Sequence, residues 1–195
     1  MTVIPTSPDD GSFRSRRPDR SAAHWRGVPV RLATDLVSSP PGTAAELGER
    51  CAKAGVVVDR PPRAADLDEV LAFLDAWLEV VDADTAPARA ARLNLLLAES
   101  SAYPRLTDHA GDGWHIHYRD AHLTLAGVLR ALISVGTALH LTGRGMDRLR
   151  RCALTECGHP FGDFTRGGRQ RYCSPTCANR DAVRRHRAKQ AVAHR

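Results

Sequence analysis

The sequence predicts an α+β protein: a mostly helical N-terminal domain with one β-hairpin, followed by a small C-terminal unit that contains four cysteines and ends in a basic helix. Three observations predict this. Apolar residues recur at helical spacing over most of residues 43–142. Two short runs in which apolar and polar residues alternate flank the turn sequence at residues 110–113. Four of the five cysteines fall within residues 152–177, close to a run of arginines.

Three segments follow from this pattern. Residues 1–24 are rich in Ser, Pro, Asp and Arg without periodicity, and we expect a disordered leader there. Residues 25–145 carry their own apolar core and are expected to fold alone. Residues 146–195 form the cysteine unit, with a short linker helix predicted at 146–151. The apolar run at 28–37 is too short to distinguish a helix from a strand.

Helix starts are marked by capping-box spacings at Thr43 and Asp66 and by the proline at Pro87. The second of these predicts a helix over 67–82. Residues 122–142 are the most apolar segment and predict a central core helix. In the second and third predicted helices, the residues expected to face the core are Leu67, Val70, Leu71, Leu74, Leu78, Val81, Leu93, Leu95, Leu96 and Leu97.

A hairpin is predicted from residues 104–109 and 114–118, because both runs alternate and a glycine-containing turn separates them. Alternation would place Trp114 with the other apolar residues on one face, and His115 and His117 on the opposite face. We take these three residues as a hypothetical ligand-sensing site. The simpler interpretation is that the two histidines lie on an exposed strand face without a binding role.

The positive charge is concentrated at one end of the chain. The net charge is +6, but residues 144–195 contain 13 Lys or Arg and 4 Asp or Glu, a net of +9. The preceding residues are therefore slightly acidic. A basic module joined to a nearly neutral domain is a common layout among nucleic-acid-binding proteins. A solvated basic tail is the equally simple alternative.

Other classes of protein are disfavoured. We find no apolar stretch of about 18 residues, so no membrane span is expected. The N-terminus lacks the apolar run of a secretory signal, which favours a cytoplasmic protein. No phosphate loop, Ser-His-Asp arrangement or paired-carboxylate motif was found, so we do not expect an enzyme. Cys51 lies in a helical segment and is interpreted as a small buried hydrophobic residue.

The four clustered cysteines have the spacing of a metal site. Cys152 and Cys157 form one close pair, Cys173 and Cys177 form another, and fifteen residues separate the pairs. Two such pairs suit a tetrahedral four-sulfur zinc site, in which each pair supplies two thiolates. The sequence therefore predicts one structural Zn²⁺. His159 is a less favoured alternative ligand.

The second cysteine pair lies at the predicted start of a helix, with Ser174 as N-cap and Pro175 in the first position. This helix and the loop before it carry the cations that we assign to nucleic-acid binding. Arg180, Arg184 and Arg187 share one helix face by their spacing. The complete set is Arg166, Arg169 and Arg171 in the loop, and Arg180, Arg184, Arg185, Arg187 and Lys189 in the helix.

The stretch CALTECGHPFGDFTRGGRQRYCSPTCANRDAVRRHR resembles a CGNR-type zinc finger. The Cys-Gly-Asn-Arg motif of that family, which contains its last metal ligand, is matched by residues 177–180, with Ala178 in place of Gly. Other matching positions are Phe161, Asp163, Arg171, Tyr172, Cys173, Ser174, His186 and Arg187.

Upstream segments resemble the ABATE domain that usually precedes this finger. The similar pieces are residues 92–99 (RLNLLLAE), 103–106 (YPRL) and 114–118 (WHIHY). Such proteins are regarded as stress-induced transcription regulators. The resemblance therefore implies a DNA-binding finger, with RNA as a further possibility, and an N-terminal domain that binds a small molecule or a protein. The competing hypothesis is a zinc-stabilised protein-interaction module that does not bind nucleic acid.

Overall fold

The structure, a computed structural model, describes residues 27–56, 60–107 and 114–193. The predicted leader lies outside these residues. The mostly helical α+β fold class is confirmed. In chain order, the described elements are α1 Val28–Ser38, α2 Ala44–Lys53, α3 Ala64–Asp82, α4 Ala86–Ser100, β1 Arg105–Thr107, β2 His115–His117, α5 Leu125–Arg144, β3 Leu149–Arg151, β4 Pro160–Gly162 and α6 Pro175–Ala193.

Helix α5 is the centre of the core and packs against α1, α3 and α4. Leu129 and Ile133 on α5 are fully buried. Trp77 on α3 is also fully buried, and its indole Nε1 donates a hydrogen bond to Thr137 Oγ1 at 3.0 Å. This bond satisfies the polar group of the largest core side chain. The apolar residues of all four helices therefore form one continuous cluster.

Contrary to the expectation of no apolar stretch of about 18 residues, one of the described helices, α5, is long and apolar enough to span a membrane by length and composition. An 18-residue stretch within Leu125–Arg144 has a mean hydropathy of 1.5. The buried share of this stretch is 56%, and three other helices surround it. These contacts identify α5 as the core helix of the helical domain, in agreement with the prediction for residues 122–142.

The helix starts follow local capping chemistry, with one correction. Thr43 caps α2 as predicted, since its Oγ1 accepts a hydrogen bond from the Glu46 N–H at 3.1 Å. Helix α3 begins at Ala64, so the buried Asp66 is its third residue and not its N-cap. The Asp66 carboxylate accepts the N–H of Arg63 at 2.9 Å and that of Ala126 at 3.2 Å. It thereby ties the start of α3 to the start of α5.

The predicted core faces of α3 and α4 are partly wrong. Leu93 and Leu96 are buried on α4, but the side chain of Leu95 is exposed. On α3, Phe73 and Val80 are buried although they were not assigned to the core. Helix α3 contacts α2, α4 and α5, so it buries a wider face than a helix that covers only one neighbour.

Strands β1 and β2 pair antiparallel, with Leu106 opposite Ile116. The predicted turn at residues 110–113 lies outside the described residues. The simpler interpretation placed the two histidines on an exposed strand face. The structure instead exposes the apolar face of this hairpin, and Trp114 before β2 is 76% exposed. His115 and His117 lie on the half-buried face.

The linker helix predicted at 146–151 is wrong, because residues 149–151 form strand β3. This strand pairs antiparallel with β4, and Arg150 faces Phe161 in the register. A six-residue segment is too short for a stable helix. The strand instead satisfies its backbone hydrogen bonds by pairing with β4, and it buries Leu149 in the helical core. Arg151 forms a two-pronged ion pair with Asp82 at the end of α3, in which Nε and Nη2 each lie 2.7 Å from a carboxylate oxygen. The domain boundary at 145 and 146 stays a prediction, but a common core crosses it.

The contact between α1 and α5 depends on the absence of a side chain at Gly136. A Cβ there would lie 2.3 Å from Pro29 Cβ, a rigid neighbour. Gly136→Ala should therefore destabilise the fold by about 1–3 kcal/mol through overpacking. Gly143 on the same helix has open space around it, so Gly143→Ala should stabilise by about 0.5–1 kcal/mol. Urea unfolding of the two variants checks these opposite signs, and equal effects would contradict the packing argument.

Candidate metal centre and basic helix

The four cysteine sulfur atoms lie within 4.8 Å of one another. The Sγ of Cys173 is 3.6 Å from that of Cys157 and 3.7 Å from that of Cys177. Tetrahedral zinc at about 2.3 Å from each sulfur requires sulfur–sulfur distances of about 3.8 Å. The four thiols therefore fit a Zn²⁺ ion, and they are the residues that would hold it. Bound there, zinc would supply structural cross-linking rather than chemistry, since all four positions are taken by protein ligands.

The first cysteine pair is positioned by the β3–β4 hairpin. Cys152 follows β3 directly, and its N–H donates to the carbonyl of His159 at 2.9 Å. Cys157 lies in a tight turn closed by its own N–H on the Leu154 carbonyl at 2.9 Å. The next residue, Gly158, has a φ of +62°, which favours glycine over any other residue. The turn brings the sulfur atoms of Cys152 and Cys157 to within 4.8 Å of each other.

The second pair is positioned by the start of α6. Ser174 caps the helix as predicted, because its Oγ accepts the N–H of Cys177 at 3.2 Å. The N–H of Cys173 donates to the Sγ of Cys152 at 3.4 Å, which links the two pairs directly. Ala178 lies inside the helix, where its N–H donates to the Ser174 carbonyl at 3.2 Å. An alanine in place of the motif's glycine therefore suits this helical position.

The thiol environments differ. Burial raises the pKa values of Cys157 and Cys173 above the usual range. The Ser174 hydroxyl lowers the pKa of Cys177. A divalent cation among four sulfurs favours the thiolate form of each and is therefore the natural partner of such a cluster.

His159, the less favoured alternative ligand, and Cys51, the fifth cysteine, lie outside the metal-binding cluster. The metal-binding cluster contains only the four cysteines, and the side chain of His159 is exposed. Cys51 is fully buried in the helical core, and this burial raises the pKa of its thiol to about 11. Both findings agree with the minor roles expected for these residues.

The matched segment of this chain is the one that contains the four cysteines. Residues 148–190 match the CGNR zinc finger family. This agrees with the resemblance and with the sulfur geometry, and we call these residues the CGNR finger. No match to the curated proteins was found. The match covers the finger alone, so the similarity of the helical domain to ABATE domains stays a prediction.

A buried carboxylate organises the arginine-bearing loop of the CGNR finger. Asp163 is fully buried and accepts hydrogen bonds from Thr165 N–H at 2.9 Å and Gln170 N–H at 3.2 Å. Its Oδ2 lies 3.4 Å from Arg148 Nη1, and this guanidinium also donates to the Thr165 carbonyl at 3.0 Å. Burial alone would raise the pKa of Asp163, but these donors lower it below its usual value.

A second carboxylate fastens α6 to the zinc-binding loops. The Tyr172 hydroxyl, next to Cys173, donates to Asp181 Oδ2 at 2.6 Å. The same carboxylate pairs with Arg184 at 2.5 Å and with Arg185 at 2.9 Å. Asp181 is buried, and the hydrogen bond from Tyr172 lowers its pKa. Asp181 is not among the residues predicted for the site, although its i,i+3 and i,i+4 spacing to the two arginines could have indicated this role.

The eight predicted nucleic-acid-binding cations fall into distinct groups. Arg166, Arg169 and Arg171 lie exposed on the loop between β4 and α6. Arg184 lies 3.6 Å from Glu156 in the turn of residues 154–158, which we call the zinc turn, and Arg180 lies 3.9 Å from the same carboxylate. Among residues 27–56, 60–107 and 114–193, neither Arg187 nor Lys189 forms an ion pair. Those two cations are therefore the best probes of an external anionic partner.

The predicted sensing residues belong to the helical domain. His115 and His117 are neighbours, with 3.1 Å between their Nε2 atoms and tilted rings 4.8 Å apart. Trp114 is exposed beside them. The structure thus brings the two histidines together, and their role in sensing stays a prediction.

Proposed function

We propose that the CGNR finger is a nucleic-acid-binding module, in which zinc holds α6 as a projecting basic helix. The observation that carries this proposal is the exposure of α6. Each residue from 182 to 191 is exposed, a length of about 15 Å. A polar helix that buries none of its residues along this length is available for insertion into a partner. The net charge of +9 on residues 144–195 makes that partner an anion.

Duplex DNA fits the helix better than a single strand does. Proteins that bind single strands stack bases on exposed aromatic side chains. The finger has three Phe or Tyr residues, and none offers a free face of this kind. Phe161 is buried, the Phe164 ring centroid lies 4.1 Å from the Arg31 guanidinium, and Tyr172 packs against the cysteine cluster. The major groove of B-form DNA is about 12 Å wide and admits an α-helix, whereas that of A-form RNA is too narrow.

We assign the helical domain to partner or ligand binding, so that the whole chain acts as a cytoplasmic transcription regulator. The exposed apolar face around Trp114 supports this role, because large exposed apolar side chains mark interaction sites. A closed four-sulfur zinc site has no open coordination position, which supports a role without catalysis.

The second candidate is a protein-interaction module, favoured by one observation. Val183 is an exposed apolar residue at the middle of α6, with 50% of its surface accessible. A helix that docks on an acidic protein would use such an anchor.

The expected result of a salt titration separates the two candidates. For about five phosphate contacts, the plot of log K for a random-sequence duplex against log salt should have a slope of about −4 to −5. Replacing Arg187 and Lys189 together by Ala should make this slope shallower by about 2 units. These residues are better targets than Arg184, which also binds Asp181 and Glu156 within the finger.

The matched control removes two exposed cations from the helical domain, by Lys53→Ala with Arg60→Ala. Arg60 lies just before the start of α3. The finger contacts the opposite end of this helix, at Asp82, about 28 Å from the start along the helix axis. The control should retain the parental slope of log K against log salt, and both double variants should retain zinc. A parental slope for the Arg187 and Lys189 variant would favour the protein-interaction module.

A further inference from the structure

One face of α6 forms a continuous stripe that borders a shallow depression on the finger. Its members recur at helical spacing, and Glu156 of the zinc turn lies at its edge. The helix residues that line the depression are Thr176, Asn179, Arg180, Val183, Arg184 and Arg187. We call these six the α6 stripe. Arg185 and Lys189 lie on another side of the helix.

The composition of the α6 stripe differs from that of a surface that contacts phosphates alone. Phosphate contacts need cations or simple N–H and O–H donors. The amide of Asn179 and the three guanidinium groups of the stripe can bind phosphates or bases, but the exposed apolar side chain of Val183 beside them has no use against a phosphate. These are the groups that distinguish bases in the major groove. Asn pairs with adenine, Arg pairs with guanine, and an apolar group contacts the thymine methyl.

The position of Glu156 points in the same direction. Its carboxylate lies 3.9 Å from Arg180 and 3.6 Å from Arg184, at the border of the stripe. A carboxylate beside a phosphate is repelled, so this border is unsuited to the DNA backbone. It is compatible with base edges, since a carboxylate accepts a hydrogen bond from the cytosine amino group.

We propose that the α6 stripe reads base pairs in the major groove of duplex DNA, with Asn179 and Val183 as specificity-determining residues. The proposal rests on the nucleic-acid-binding function proposed above and adds base selectivity to it. From Thr176 to Arg187 the helix advances about 16 Å. At a rise of about 3.4 Å per base pair, this length covers about five consecutive base pairs. The finger therefore selects a short, contiguous site.

The test is selection from a random duplex pool with the full zinc-loaded chain, followed by competition binding. The parent should enrich a motif of about five contiguous base pairs, with a penalty of at least about fivefold for a wrong base. Asn179→Ala and Val183→Ala should each abolish the penalty at one position. Neither change removes a charge, so the salt slope should stay parental. Lys189→Ala is the matched control, with a slope shallower by about 1 unit and an unchanged motif.

The outcomes separate this inference from the function on which it rests. Salt-dependent binding without an enriched motif overturns base reading and leaves the nucleic-acid-binding module intact. A motif that both Asn179→Ala and Val183→Ala leave unchanged also overturns it. No binding to duplex at any salt concentration overturns the proposed function itself. If Asn179→Ala releases zinc, Val183→Ala decides the question, because Val183 lies about 1.7 turns beyond the last ligand and is exposed.

Discussion

Removing zinc should unfold residues 152–190 while the helical domain keeps its structure. Structural zinc contributes about 10–16 kcal/mol of apparent binding free energy in small fingers, more than the residual packing of this unit can replace. Among the residues that the structure describes, the apolar cluster around the four cysteines contains only Leu154 and Tyr172 besides them. Hydrogen exchange before and after chelation should therefore show loss of protection in α6 and in the zinc turn. Protection in α3 and α5 should persist.

Cysteine variants provide the control for this result. Cys173→Ser removes the ligand that lies 3.6–3.7 Å from two other sulfurs and should abolish stoichiometric zinc. Cys51→Ala removes a cysteine from the helical core and should keep one zinc per chain. Elemental analysis of protein purified without chelator measures both. A parent chain without stoichiometric metal would contradict the four-sulfur site.

The second large effect is expected at Asp163. Asp163→Asn keeps the shape of the side chain but turns one acceptor oxygen into a donor. It also leaves the largely buried Arg148 guanidinium without a counter-charge. Breaking a buried ion pair in this way costs about 3–5 kcal/mol. Because Asp163 also holds the Thr165 and Gln170 N–H groups, the loop that bears Arg166 and Arg169 should lose its order.

Asp147→Asn is the matched control for Asp163. The Asp147 side chain is 77% exposed and pairs with Arg150 at 3.3 Å, so its removal should cost less than about 1 kcal/mol. Denaturant unfolding of the zinc-loaded variants measures the difference in the free energy of unfolding. Indistinguishable values for the two variants would show that the buried network does not stabilise the finger.

Features that depend on neighbouring residues along the chain could be predicted from the sequence. The caps at Thr43 and Ser174 require only a side-chain oxygen three residues before a free N–H. The metal cluster follows from cysteine spacing, because each close pair folds back within a few residues. The core helix at 122–142 follows from its apolar length.

Features that depend on distant partners could not be predicted. Strand β3 exists because Pro160–Gly162 pairs with it and the helical core covers Leu149, and neither partner is local. The link between Asp66 and Ala126 crosses sixty residues, so the sequence suggested only a simple N-cap. The pairing of Glu156 with Arg180 and Arg184 likewise requires the zinc turn to fold first.

The most direct test of a zinc-held DNA-binding helix is one reversible titration. Anisotropy of a labelled random-sequence duplex is measured with the full chain at low salt, after chelation, and after zinc is restored. We predict binding that chelation abolishes and zinc restores, because α6 needs the cysteine cluster for its attachment. Binding that survives complete removal of zinc would show that a basic tail, and not the finger, holds the DNA. Absence of binding by the zinc-loaded chain would contradict the proposed function altogether.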